Sequence, residues 1–301
     1  MIRAFDGSLA DAEGLLAAER ATFDECPYTA QEIRTMLQPE SGRQHAWLAA
    51  DDNHLGAYGR ALQRSGGGSV VGFVTAFPVN SLQGTWWEID LLAVHPDRQG
   101  RGLGRQLIQA AAAGGEGVAN RSRAVVATDN RRSARAFAHA GFQAEPGVCT
   151  LLIHRLGEQA PRPQATAGVL VHEAASAADA AAWQVFLPTP IQDCPGMTVL
   201  LAEHHDRPAG YAELIEVETL LYHGIWIESL AAPSRAVRDT LVYCAMNRAM
   251  AAGLDEVSAM VPKQNQPLLH TLLAGGFRSL GAYRWFSADL PLKAKDPSAG
   301  P

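Results

Sequence analysis

The segment with the clearest chemical potential is His95-Pro-Asp-Arg-Gln-Gly-Arg-Gly-Leu-Gly104, which separates an apolar stretch ending at Val94 from an amphipathic one beginning at Arg105. Glycine adopts backbone angles closed to other residues, so glycines at 100, 102 and 104 let several amide N–H groups converge on one point. A helix starting there adds the positive end of its dipole. Together these features bind a phosphate or pyrophosphate. Spacing narrows the ligand. A dinucleotide fingerprint needs glycine at its first, third and sixth positions, but Arg105 is sixth from Gly100 and Leu107 is sixth from Gly102. The sequence also lacks a GxxxxGK[ST] loop.

Two carboxylates stand just upstream, in Trp86-Trp-Glu-Ile-Asp-Leu-Leu-Ala-Val94. On a strand, alternate side chains share a face, so Glu88, Asp90 and Leu92 are predicted to point the same way. Downstream, Val125-Val-Ala-Thr-Asp-Asn-Arg-Arg-Ser-Ala-Arg-Ala-Phe-Ala-His-Ala-Gly-Phe142 predicts a strand, an asparagine and then a helix ending at Gly141.

These segments resemble the GNAT superfamily of N-acetyltransferases, whose acetyl-CoA motif places a Q/R-x-x-G-x-G/A turn on the CoA pyrophosphate. Gln99, Gly102 and Gly104 occupy those positions, and residues 125–142 resemble the family's second motif. The resemblance implies an α/β (α+β) fold in which a mixed, mostly antiparallel sheet splays between its fourth and fifth strands. It implies acetyl-CoA as cosubstrate and no metal. The CoA contacts would come from Leu92, Ala93 and Val94, with oxyanion donors near Val94, and from Arg98, Gly100, Arg101, Leu103 and Arg105 around the turn. Asn130, Arg132, Ser133 and Phe137 would contribute from the second motif.

Forming an amide from a thioester requires a neutral amine, a stabilised oxyanion and a leaving thiolate. Glu88 matches the place where histone-acetylating relatives carry a glutamate base, in a Glu-Ile-x-x-x-Ala-Val pattern. It is therefore the first candidate for general base, through a water, with Asp90 second. The family's usual acid, a tyrosine, falls at Phe137, whose ring cannot donate a proton. Tyr28, Trp86 and Trp87 are expected to wall the acceptor pocket. The expected reaction is direct transfer from acetyl-CoA to a primary amine of a small molecule in a ternary complex. The alternatives are a catalytically weak acyl-CoA-binding regulator and a protein or peptide N-acetyltransferase.

The elements that would position these residues occur twice. Asn130 precedes Gly141-Phe142 by eleven residues, and Asn265 precedes Gly276-Phe277 by the same eleven. Leu92-Ala-Val-His-Pro96 is echoed by Leu230-Ala-Ala-Pro233. This repetition predicts two tandem GNAT folds, an architecture that also resembles mycothiol synthase and related double-GNAT enzymes. The expected domains are 1–156, a linker at 157–168 rich in Pro, Gly and small polar residues, a degenerate copy at 169–291, and a tail at 292–301. In the second copy the turn is expected at Pro233-Ser-Arg-Ala-Val-Arg-Asp-Thr-Leu241, where Asp239 and Leu241 answer Gly102 and Gly104. A carboxylate and two missing glycines would oppose CoA there.

Bulk properties agree with a globular two-domain protein: 301 residues, 47% hydrophobic and 19% charged. A net charge of −6 argues against nucleic acid or an anionic membrane as partner. No secretory leader or membrane span is legible, which predicts a cytoplasmic protein. Cys26, Cys149, Cys194 and Cys244 have neither disulfide nor metal spacing, and His204-His205 reads as part of a hairpin turn. The expected assembly is a monomer with an internal pseudo-dimer, or a homodimer.

Overall fold

The computed structural model describes residues 1–23, 27–38, 44–51, 69–157, 164–174, 181–189, 191 and 195–290. Cys26, Cys194, residues 158–163 of the expected linker and the tail lie outside the described residues. The first half runs β1 (Ile2–Ala4), α1 (Leu9–Arg20), α2 (Ala30–Met36), β2 (His45–Asp51), β3 (Ser69–Ser81) and β4 (Gly84–Val94). It continues with α3 (Leu103–Gly114), β5 (Arg121–Ala127), α4 (Arg131–Ala140), β6 (Gln143–Ala144) and β7 (Cys149–Arg155). The second half runs β8 (Val169–Glu173), β9 (Met197–His204), β10 (Pro208–Glu218) and β11 (His223–Ala231). Then follow α5 (Arg235–Ala251), β12 (Glu256–Pro262), α6 (Gln266–Ala274) and β13 (Arg278–Asp289).

Local chemistry sets several boundaries. The repeated Asn…Gly-Phe signature is a helix with both ends marked. Asn130 and Asn265 accept from the backbone N–H groups of Ser133 (3.0 Å) and Leu268 (3.3 Å), capping α4 and α6. Gly141 and Gly276 take φ values of 103° and 84°, which stop each helix, and Phe142 and Phe277 then enter the cores. Thr29 and Glu32 form a reciprocal capping box on α2. The turn after β9 carries His205 and Asp206 at positive φ, closing the predicted hairpin into β10.

The described strands form one mixed sheet in the order β1-β2-β3-β4-β5-β13-β7-β12-β11-β10-β9-β8, with β6 also on β13. Pairing between named strands is antiparallel except at β4·β5 and β11·β12. The order shows an exchange. β13, from the second half, lies between β5 and β7 of the first, while β7 pairs with β12 of the second. Each copy's sheet therefore includes a strand from the other.

The hairpin tips are exchanged as well. Leu220, between β10 and β11, is buried in the first copy with Phe5, Leu15 and Ile33, and its N–H donates to Gln44 Oε1 at 3.1 Å. Leu82, between β3 and β4, is buried in the second copy with Trp183, Leu201 and Tyr211, and its N–H donates to Glu213 Oε1 at 2.6 Å. Among the described residues, no helix is long and apolar enough to cross a membrane.

Candidate functional site

The glycine turn adopts the expected conformation. Gly100 and Gly102 have φ of 76° and 79°, and Gly102 is the N-cap of α3 with no side-chain cap bond, so no side-chain cap takes the helix's first N–H groups. A Cβ built on either glycine would meet no other group within 4 Å. Space is thus open beside both glycines, which suits a pyrophosphate. Gln99 braces the turn: its Nε2 donates to Val94 O at 2.9 Å, and its Oε1 accepts from Arg132 Nη1 at 2.6 Å. That bond brings α4 and the turn together. Gly104 faces Ala136 of α4, where an added Cβ would stand at an ordinary contact distance of 3.7 Å. Arg101 and Arg105 are exposed and Arg98 is half-buried.

The carboxylates sit at a break in the sheet. β3 and β4 lose register between Val74↔Leu92 and Ala76↔Ile89, so β4 carries one extra residue, a bulge at Asp90-Leu91. The Leu91 N–H donates to Thr75 Oγ1 (3.2 Å). The bulge corrects the predicted alternation. Glu88 and Asp90 share a face, but Leu92 packs with Trp87 and Ile89 on the α3 side, while Leu91 and Ala93 pack towards α1 and α2. Parallel pairing of β4 with β5 ends at Ile89↔Ala124. From Asp90 onward the two strands part.

Glu88 is nearly buried and accepts from Arg123 Nε at 2.6 Å. Arg123 reaches in the other direction to Glu228 of β11, at 2.6 and 3.1 Å. Its guanidinium lies over the rings of Trp86 and Trp285, 5.2 and 4.5 Å from their centroids. Burial pushes the Glu88 carboxyl up to about 7, with Arg123 pulling it down and Glu228 pushing it up. Asp90 accepts from Gln44 Nε2 at 3.3 Å and hydrogen bonds to the Thr219 side chain, and burial raises it to about 6. One residue of the second copy thus touches each carboxylate or its partner.

Both carboxylates line a cavity of about 450 Å³ between the copies. Phe77 and Val79 of β3 pack with Ile215 and Val217 of β10 along one side of it, and Leu151 and Ile153 of β7, Tyr222 and Tyr283 also line it. The cavity has the size and largely apolar lining of a small-molecule site.

A glycine cradle at a helix N-terminus, a bulged fourth strand and a splayed fifth coincide in residues 17–142, which match the family profile described as Acetyltransferase (GNAT) family. The first half of the chain thus matches the GNAT acetyltransferase family. Solved structures match it along its length. A tandem GNAT protein from the clavulanic acid biosynthesis pathway is 14% identical, with a TM-score of 0.54 over 98% of this chain and 99% of that one. A GCN5-related N-acetyltransferase from Sphaerobacter thermophilus is 17% identical, with a TM-score of 0.57 over 97% and 96%. A glucosamine N-acetyltransferase region of a fungal multi-domain GH3 β-N-acetylglucosaminidase is 16% identical, with a TM-score of 0.57 over 96% of this chain and 38% of that one. These likenesses show the fold, two tandem GNAT units. No curated protein sequence matches the chain.

The two GNAT units differ at the turn. In the second, α5 already begins at Arg235, so Asp239 and Leu241 lie inside a helix and not in the expected loop. Leu241 is fully buried and Asp239 pairs with Arg235 at 3.4 Å. Arg238 Nη1 donates to Ala232 O and Pro233 O, both at 2.9 Å, occupying the strand-end carbonyls. A helix that starts early leaves no glycine cradle.

The remaining sequence candidates separate. Neither tryptophan lines the cavity: Trp86 is buried with Phe77, Val79 and Ile215 and carries Arg121 and Arg123 over its ring, and Trp87 is buried under α3 and donates to Ala111 O at 2.7 Å. Phe137 is buried against Phe142 and Phe286. Tyr28 packs against the α1–α2 core. Sequence reasoning missed Arg123, Thr219, Glu228 and Tyr283. A charge in the otherwise apolar strand Arg123-Ala-Val-Val-Ala127 was one available signal. Glu228, at the second copy's own bulge opposite Glu213-Leu214, was another.

Proposed function

We propose that the first copy transfers an acetyl group from acetyl-CoA to a primary amine of a small molecule seated in the cavity between the copies. The observation that carries this reading is the parting of β4 and β5 beyond Ile89↔Ala124. It leaves a slot with the open glycine cradle on one side and two near-neutral carboxylates on the other.

Acetyl-CoA supplies the acyl group as an activated thioester. The amides of Gly100 to Gly104 and the N-terminus of α3 hold its pyrophosphate, with Gln99 and Arg132 fixing the turn. Glu88, through a water, takes the proton that the amine loses as its nitrogen bonds to the acyl carbon and the carbon–sulfur bond breaks. Asp90 orients the amine. Tyr222 donates its hydroxyl to Ile225 O at 2.6 Å, so Tyr283 is the cavity phenol left to return a proton to sulfur. A thiol's reference pKa of about 8.5 makes the thiolate a tolerable leaving group even without that proton. Strand exchange is completed within one chain, so this reading needs only a monomer, and acetyl-CoA chemistry suits the cytoplasm.

The test is amine-dependent release of free thiol from acetyl-CoA by the full chain across an amine panel. Release that Gly102→Glu abolishes supports the reading. Tight CoA binding with no transfer to any amine would replace it with an acyl-CoA-binding regulator.

A further inference from the structure

The cavity carries an asymmetry of charge that bears on which amine it takes. Glu88 and Asp90 line it from β4, and Arg155 and Arg278 line it from β7 and β13. Arg123 does not add a free positive charge, because Glu88 and Glu228 occupy its guanidinium. Arg155 and Arg278 come together through the exchanged strands: Arg278 pairs with Ile153, two residues from Arg155, and Arg155 pairs with Glu256.

Glu256 is the acid among them. Its carboxylate is 3.9 Å from Arg155 Nε, and burial holds its pKa above the ordinary value. Arg278 is exposed and makes no salt bridge among the described residues. Among the residues lining that end of the cavity, two guanidiniums stand against the one carboxylate of Glu256, while Asp255, just outside the lining, pairs with His223 at 2.8 Å. The lining also includes the apolar residues Val125, Leu151, Ile153, Val217 and Leu280.

Resting on the acetyl-transfer reading above, we propose that the acceptor is an amphiphilic amine whose apolar body ends in an anionic group. Its amine lies at Glu88 and Asp90 and its anion at Arg278 and Arg155. The second copy then selects the substrate: Thr219 caps the amine end, Val217 packs on the body, Tyr222 lies beside Glu256 at the other end, and Arg278 reads the far charge. A guanidinium pairs with a carboxylate or a phosphate through two parallel N–H donors, so either could be the terminal group.

Matched probes test this on the full chain: hexylamine against 6-aminohexanoate, octylamine against 8-aminooctanoate, and hexylamine against 6-aminohexyl phosphate. Acetyl transfer is followed by thiol release. Binding of 8-aminooctanoate is followed separately by calorimetry without acetyl-CoA. The expected kcat/KM preference for the anion-bearing partner is about tenfold to a hundredfold, the usual scale of one hydrogen bond to a charged group. Arg278→Gln should collapse that preference and weaken 8-aminooctanoate binding by a similar factor, and Arg278→Glu should reverse the preference. The two anionic probes rank carboxylate against phosphate. Equal kcat/KM within every pair, or a preference that survives Arg278→Glu, overturns the inference while leaving acetyl transfer intact. Arg278-dependent binding with no transfer to any amine sinks the enzymatic reading and keeps the pocket's selectivity.

Discussion

Leu82 and Leu220 occupy corresponding hairpin tips, and each is buried in the core of the copy it does not belong to. The tip bearing Leu220 also brings Thr219 to Asp90 and is fastened by Gln44, which bonds both Leu220 and Asp90. Closing the first copy's acceptor side therefore depends on the second copy.

Removing either leucine should leave a cavity that the flanking strands cannot fill. Leu82→Ala and Leu220→Ala are each expected to cost about 2–5 kcal/mol in chemical denaturation. Leu220→Ala should in addition raise the KM of the amine, because the cap over Asp90 loosens. Loss under about 1 kcal/mol for both would mean that the tips only rest on the opposite copy.

The raised carboxyl groups predict a pH dependence. Glu88 must be ionised to accept a proton, so kcat/KM should climb with pH through an apparent value of about 7, after correction for ionisation of the amine. Glu88→Gln should remove that limb and lower kcat by about two to four orders of magnitude, with Asp90→Asn doing less. The opposite ranking would move the base to Asp90. Stability should show the complementary trend. Because burial raises the folded pKa, the contribution of Glu88 is complete below about 4.5 and is lost as pH rises through about 7. Glu88→Gln should therefore flatten the unfolding free energy between these values.

Arg123 and Glu228 tune that base from the second copy's side. In Glu228→Gln the repulsion on Glu88 disappears and Arg123 serves one carboxylate, so the ascending limb should move below 7. Arg123→Gln should move it upward and cost about 3–5 kcal/mol, since it strands two nearly buried carboxylates. A limb that stays in place in both variants would assign it to another group.

The CoA cradle yields a stoichiometry. Calorimetry should find one CoA site per chain, lost in Gly102→Glu, where the side chain fills the open space beside the glycine and φ near 79° strains any non-glycine residue. Two sites per chain would require a cradle in the second copy, where α5 has replaced the turn.

What was legible in the sequence was local. The glycine turn, the Asn caps and the Gly-Phe stops express backbone angles and side-chain-to-backbone bonds that span a few residues, so spacing alone carried them. The bulge at Asp90-Leu91 was not legible, since it depends on Thr75 from the neighbouring strand taking the Leu91 N–H. It misled the alternation argument at Leu92, two residues beyond a correct pairing of Glu88 with Asp90. Trp86 and Trp87, adjacent and alike in sequence, separated into an Arg123 partner and a core residue. The Glu88–Arg123–Glu228 network joins residues 35 and 105 positions apart, and only the exchanged architecture brings them together.

Strand exchange itself can be tested by dividing the chain. Residues 1–157 alone lack β13, which pairs with β5 from Tyr283↔Ala127 to Asp289↔Arg121 and places Phe286 beside Phe137 in the first core. An isolated half would expose the β5 edge and an apolar groove, and would leave β7 without β12. Two such halves can repair one another if β7 of each takes the place of β13 beside β5 of the other, since β7 follows α4 as the later part of β13 follows α6. The expected product is a homodimer whose thermal midpoint rises with protein concentration. Light scattering on a sizing column reads the mass directly. A folded monomer with a concentration-independent midpoint would show that the first copy completes its own sheet, and the exchange would then be a consequence of tethering instead of a requirement of the fold.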